Sequence, residues 1–277
     1  MKQWINGLFL TSLFIAANAI AQDADDKTPT VDEIIAKANK TAYYQGTDGK
    51  SNVQMTITDK QGRTRNREFS ILRKNTAGTE DQKYFVYFQA PADVRRMVFM
   101  VHKHAAFDKD DDRWLYLPNL DLVRRIAAGD KRTSFVGSDF LYEDVSGRSL
   151  LEDTHTLLRS TDRFYVIKSV PKKPDAVEFA YFLVSIDRKT YMPMKMEYFE
   201  KDDALFRVIE SQKLDMIKAT EDGKEVEYPT VTRSVVKDLK SGSTTEMVFS
   251  DVQYNLGLGD DIFTERFLKR PPREAMR

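Results

Sequence analysis

Along most of this chain apolar and polar residues alternate one by one, which is the period of an extended strand with one face buried. Val53, Met55 and Ile57 interleave with Asn52, Gln54, Thr56 and Thr58, and the following Asp59-Lys60-Gln61-Gly62 has the composition of a tight turn. The same pattern recurs near residues 67–74, 83–89, 97–103, 113–117, 163–170, 177–187, 191–200, 205–214, 226–238 and 244–254. Turn-forming stretches separate them, among them Lys74-Asn75-Thr76-Ala77-Gly78, Glu221-Asp222-Gly223-Lys224 and Lys240-Ser241-Gly242-Ser243. The pattern predicts a mainly β fold: one curved antiparallel sheet of about ten or eleven strands with a few short helices. Long helices do not alternate with the strands, which argues against a doubly wound parallel sheet.

The helical pieces are short. Thr30 offers a capping hydroxyl, and Ile34, Ile35 and Ala38 fall on one face of the segment behind it. Residues 130–145 read as partly helical and 93–97 as a turn; residues 260–268 carry acids first and bases last, as the helix dipole favours.

Several strands are too apolar for a sheet with one wet face. Tyr84, Val86 and Phe88 point one way and Phe85 and Tyr87 the other, and the runs Val98–Val101 and Phe179–Val184 repeat this. Both faces therefore need cover. A second sheet would supply it in a sandwich; in a strongly curved single sheet it comes from helices and, where helices run short, from a ligand. Met192, Met194, Met196 and Tyr198 share one strand face, a stripe that suits either an ordinary core or a variable apolar partner.

The N-terminus adds a destination. Lys2, an apolar run from Ile5 to Ala17 and the small-residue exit Ala19-Ile20-Ala21 read as a secretory signal peptide, since the run falls short of the ~20 residues a membrane helix needs. Cleavage after Ala21 would leave 22–277 as a single domain in the periplasm. The chain has no cysteine, which excludes a lipidated N-terminal cysteine, a disulfide and a thiol nucleophile. Lys plus Arg and Asp plus Glu are 43 each, so there is no nucleic-acid footprint.

Catalytic and metal chemistry find little support. The histidines are His102, His104 and His155. Asp108, Asp110 and Asp112 begin like a calcium loop, but Arg113 stands where the turn needs Gly and Asn119 where a bidentate Glu belongs. Glu152, Asp153 and His155 lie close together without a nucleophile whose base can be named. No cofactor fingerprint occurs, so neither an enzyme nor a cofactor is expected.

The middle of the chain carries a more specific string: Arg113-Trp114-Leu115-Tyr116-Leu117-Pro118, then Arg124-Arg125-Ile126, then Ser134 to Asp144 with Gly137-Ser138-Asp139-Phe140-Leu141-Tyr142-Glu143-Asp144. With the Ile34–Ala38 helix and the Gln89–Asp93 turn, it resembles the LolA-like outer-membrane lipoprotein-sorting family, over nearly the whole mature chain. The resemblance implies an open half-barrel whose concave apolar face is lidded by short helices and takes up acyl chains. It also implies a soluble shuttle between an inner-membrane exporter and an outer-membrane acceptor, and it extends to a branch associated with lipid exporters of the resistance-nodulation-division type. On that reading Phe99, Val101, Trp114, Tyr116, Phe140, Tyr142, Met194 and Met196 are expected to line the acyl-chain site. Arg124, Arg125, Gly137, Ser138, Asp139, Glu143 and Asp144 are expected to build the lid, with the three acids receiving Arg124, Arg125 or Arg148. Two rivals stay open: an adaptor or sensor that reports to a membrane partner without carrying cargo, and an assembly subunit whose concave face its own side chains fill.

Overall fold

The computed structural model describes Met1 and residues 28–106 and 109–276. Apart from Met1, the expected signal peptide lies outside the described residues, as does Asp108 of the acidic run. The first helix, α1 (Val31–Tyr43), starts where the sequence places it: Glu33 N–H donates to Thr30 Oγ1 at 3.3 Å, and the Glu33 carboxylate accepts from Thr30 N–H at 2.8 Å.

The strands follow as β1 (Asp48–Thr58), β2 (Thr64–Asn75), β3 (Gln82–Ala90), β4 (Val98–Lys103), β5 (Asp112–Leu117) and β6 (Leu122–Ile126). After a crossing segment that holds α2 (Tyr142–Ser146) come β7 (Asp153–Ser160), β8 (Phe164–Pro171), β9 (Tyr181–Asp187), β10 (Pro193–Phe199), β11 (Leu205–Glu221), β12 (Lys224–Asp238) and β13 (Ser243–Tyr254). Two four-residue helices, α3 (Arg266–Lys269) and α4 (Arg273–Met276), end the chain, so the helix expected over 260–268 is a 3-10 turn at 260–263 followed by α3.

All thirteen strands form one open antiparallel sheet in the order β6-β5-β4-β3-β2-β1-β13-β12-β11-β10-β9-β8-β7. The count exceeds the expected ten or eleven because β6 and β7 gave no strand signal. Both are edge strands with mostly exposed residues, so neither shows the alternation that burial of one face imposes. The β11–β12 turn is the two-residue kind that suits hairpins: Asp222 and Gly223 have φ of 49° and 75°, between the paired Glu221 and Lys224.

Of the doubly apolar runs, Tyr84–Phe88 and Val98–Val101 are covered on both faces, whereas in Phe179–Val184 the strand starts only at Tyr181 and buries one face, leaving Tyr181 and Leu183 half-buried. On the inner face Val53, Phe69, Val86, Phe88, Phe99 and Val101 pack with Phe135 and Tyr142 from the crossing segment. On the outer face Leu72, Phe85, Val98, Met100, Trp114 and Tyr116 pack under Leu258, Ile262, Phe263, Leu268 and Ala275. The chain's own C-terminal segment is therefore the outer cover. It is held by Lys74 Nζ on Leu258 O (2.5 Å), Lys83 on Asp260 (2.7 Å) and His102 Nε2 on Phe263 O (2.8 Å). At the other end of the sheet, Ile34, Ile35 and Ala38 of α1 pack on Tyr165, Ile167, Val184 and Ile186.

Candidate functional site

Between the inner face of the sheet, α1 and the crossing segment lies a cavity of about 390 Å³, within the range of small-molecule sites. Phe69 and Ile71 of β2 line it, and so do Asp153 and His155 of β7, eight ladders away in the sheet. Strands spaced about 4.8 Å apart would put those positions roughly 38 Å from each other in a flat sheet, so the sheet wraps around the cavity. The floor is largely apolar, with Phe182, Val184, Met192, Met196, Ile209, Met247 and Phe249. Ile35, Ala38, Ala42 and Tyr43 of α1 form one part of the roof, and Phe135, Phe140, Val145 and Leu150 the other.

Polar groups in the wall are held by partners. His155 Nδ1 lies 2.8 Å from Ser169 Oγ and its Nε2 lies 3.1 Å from Leu150 O. If Nε2 carries the proton and donates to the carbonyl, Nδ1 is left to accept from the serine. Arg148 bonds Asp153 through Nε at 2.8 Å and Glu152 through Nη1 at 2.7 Å. Burial disfavours the Arg148 charge, but the hydrogen bond it donates to Asp153 and the neighbouring carboxylates more than compensate and hold it above the ordinary arginine range.

The crossing segment is strapped to the sheet. Gly137 (φ 77°) lets the chain double back, and Ser138 Oγ donates to Phe135 O at 2.7 Å. Asp139 accepts from Thr245 Oγ1 at 2.7 Å and from Ser243 Oγ, while its N–H donates to Thr245 Oγ1 at 2.9 Å. Arg207 of β11 bonds the Asp144 carboxylate and Asp139 O, the latter at 3.1 Å. Burial raises the Asp144 pKa in spite of Arg207; burial would lower that of Arg207, and the Asp144 charge raises it instead. The expected partners of these acids are therefore corrected. Arg124 reaches Asp130 at 3.8 Å, and Arg125 pairs with Asp112 and lies over Trp114 at 5.3 Å. Glu143 does meet Arg148, at 3.3 Å, together with Lys131 at 3.1 Å. Arg207 gave no sequence signal beyond a basic residue in an apolar strand, because its partner is more than sixty residues away.

Of the eight residues expected to line a ligand site, Phe140 and Met196 lie in the cavity wall. Phe99, Val101 and Tyr142 share the inner face but pack in the core rather than in the cavity wall: Tyr142 lies tilted against Phe99 with centroids 4.8 Å apart and meets Phe135 edge-on at 5.5 Å. Trp114 and Tyr116 are on the opposite face, beneath the C-terminal segment. Met194 sits in a bulge between Pro193 and Lys195, which breaks the period of two that would have carried it into the wall beside Met192 and Met196.

A family model described as an uncharacterised-protein family matches residues 80–270. Among solved structures, a DUF1329 family protein from Desulfovibrio piger is similar at TM-score 0.75 and 26% identity, over 87% of this chain and all of that one (100%). An outer membrane lipoprotein-sorting protein domain from Vibrio parahaemolyticus has TM-score 0.74 and 24% identity, over 86% of this chain and 97% of that one. A LolA superfamily protein from Nitrosomonas europaea has TM-score 0.63 and 20% identity, over 87% and 100%. The chain belongs to that uncharacterised-protein family, and its fold is LolA-like. No curated protein matches it. In this LolA-like fold the Arg113–Pro118 string is β5 with its exit turn, and the Ser134–Asp144 string is the strap. Among the described residues no helix is long and apolar enough to cross a membrane. No group of three or more His, Asp or Glu among them is placed to hold a metal ion.

Proposed function

We propose that this protein is a periplasmic carrier that takes lipid or lipoprotein acyl chains into the cavity and shuttles them between the inner and outer membranes. The observation that carries this reading is the apolar cavity itself, enclosed by the wrapped sheet below and by α1 and the strap above. Each methylene moved from water into it gains about 0.8 kcal/mol, so chain length sets affinity before ordering costs are met. Ala42, Phe140, Met192, Met196, Ile209, Met247 and Phe249 are the chain-contacting residues in this proposal. The donor would be an inner-membrane exporter, of the resistance-nodulation-division type in the branch the sequence resembles, and the acceptor an outer-membrane protein. The signal sequence read at the N-terminus supports the compartment.

Native mass spectrometry of the protein purified from an envelope fraction without detergent tests the proposal. A recurrent bound acylated species, lost in a folded Met196→Glu variant, is the expected result. A protein that is reproducibly empty and takes up no fluorescent acyl probe would refute it.

A further inference from the structure

A second cleft, of about 280 Å³, lies beside the cavity, and Glu143, Arg148 and Ser149 line both. Among the described residues its walls carry eight basic side chains, Lys103, Lys109, Arg113, Lys131, Arg132, Arg148, Lys172 and Lys173, against the acids Asp110, Asp111, Glu143 and Glu152. Much of this charge is paired: Lys131 with Glu143 and Glu152, Arg148 with Glu143, Glu152 and Asp153, and Arg113 with Asp111 at 2.5 Å.

Two cations stand out. Lys103 is only 6% exposed, yet its ammonium donates to the Ser146 carbonyl at 2.7 Å and faces the rings of Tyr43 and Tyr44. Lys172, at the rim, donates to Leu151 O at 3.0 Å. Among the described residues neither ammonium has a carboxylate within ion-pair distance, and Arg113, 2% exposed, keeps its Nε without a partner. A buried cation without a counter-ion is costly, and burial lowers the Lys103 pKa to about 8. An anion in the cleft would relieve that cost and give the lysines charge-assisted bonds.

Resting on the carrier reading, we infer that the cleft receives the phosphate-bearing headgroup of an amphiphile whose acyl chain lies in the adjoining cavity. The cargo class is then an anionic phospholipid or a phosphorylated acyl lipid. Glu143, Arg148 and Ser149 mark the point where chain gives way to headgroup.

The test is displacement of a fluorescent acyl probe by two single-chain lipids with the same oleoyl chain, lysophosphatidic acid and monooleoylglycerol. Wild type is expected to bind the phosphate-bearing lipid about tenfold more tightly. In Lys103→Met and in Lys172→Gln that ratio should fall toward unity, with monooleoylglycerol binding unchanged. The second variant alters only an exposed rim residue, which keeps the test decisive if Lys103→Met fails to fold. Inorganic phosphate at millimolar concentration should leave the preference in place; abolition of the preference would assign the cleft to free phosphate and overturn the inference. Probe binding with equal affinity for the two lipids, or a ratio that survives both substitutions, would overturn it while leaving the carrier reading intact. Failure of the probe itself to bind would remove the carrier reading and this inference with it.

Discussion

Replacing Arg207 by Met should loosen the strap more than any other single change. Arg207 is 6% exposed and its guanidinium bridges Asp144 and the Asp139 carbonyl, so its removal leaves Asp144 buried without its cation. Breaking a buried pair in this way costs about 3–5 kcal/mol, which for a chain of this size lowers Tm by roughly 6–20 °C. The loss should depend on pH. Burial already raises the Asp144 pKa in the folded state, so its contribution is most favourable while the carboxyl is protonated and declines as pH rises through the unfolded carboxylate range to the raised folded value. Without Arg207 that pKa rises further, and the variant should lose more stability relative to wild type at pH 8 than at pH 5. Urea denaturation at the two pH values reads the difference. Adding Asp144→Asn to Arg207→Met should recover part of the loss at pH 8, because the uncompensated charge is gone. A Tm change below about 3 °C, or an equal loss at both pH values, would refute the view that this pair fastens the strap.

Ala42→Phe puts a ring into the cavity from the rigid α1 face. It should weaken binding of a long acyl probe by about tenfold or more and that of a short one less, measured by fluorescence titration. Gly147→Ala should cost about 1–3 kcal/mol in urea denaturation, since φ is 81° and a Cβ would lie 2.9 Å from the Tyr43 ring; Gly78→Ala, where nothing lies within 4 Å, should cost less. Lys103→Met should be at least as stable as wild type at pH 7. The lowered Lys103 pKa means that wild type gains stability as pH rises from about 8 toward the unfolded lysine value, so the gap between the two proteins should narrow between pH 8 and 10. A gap that is constant with pH in thermal melts would argue against a strained charge at Lys103.

The legible parts of the fold were those where burial imposes a period. Val53, Met55 and Ile57, the double-faced Tyr84–Phe88 run and the capped Ile34–Ala38 helix are all where the pattern put them. The edge strands were invisible because their side chains are solvated; the helical character of 260–268 was legible in its charges, but not its place over the outer face, because such short turns carry little apolar periodicity. The string that carried the resemblance led to the strap, but not to the cavity wall. Trp114 and Tyr116 obey the strand alternation perfectly well; nothing in that alternation says which face is concave. The wall is set by curvature and by one bulge at Met194, both properties of the sheet as a whole.

The order of the strands bears on how the molecule assembles. Of the twelve ladders, eleven join strands that are neighbours in sequence; the exception is β1 on β13, which brings Val53 opposite Phe249. Two meanders, β1–β6 and β7–β13, can thus zip through local hairpins, and only one pairing must close a loop of nearly the whole chain. Loop-closure entropy places that ladder late in folding. Met247 and Phe249 of β13, Phe69 and Ile71 of β2 and Met196 of β10 come from both meanders, so the binding chamber does not exist until the last ladder forms. On the proposed carrier function, a newly made chain would then acquire its capacity for cargo in a single late step.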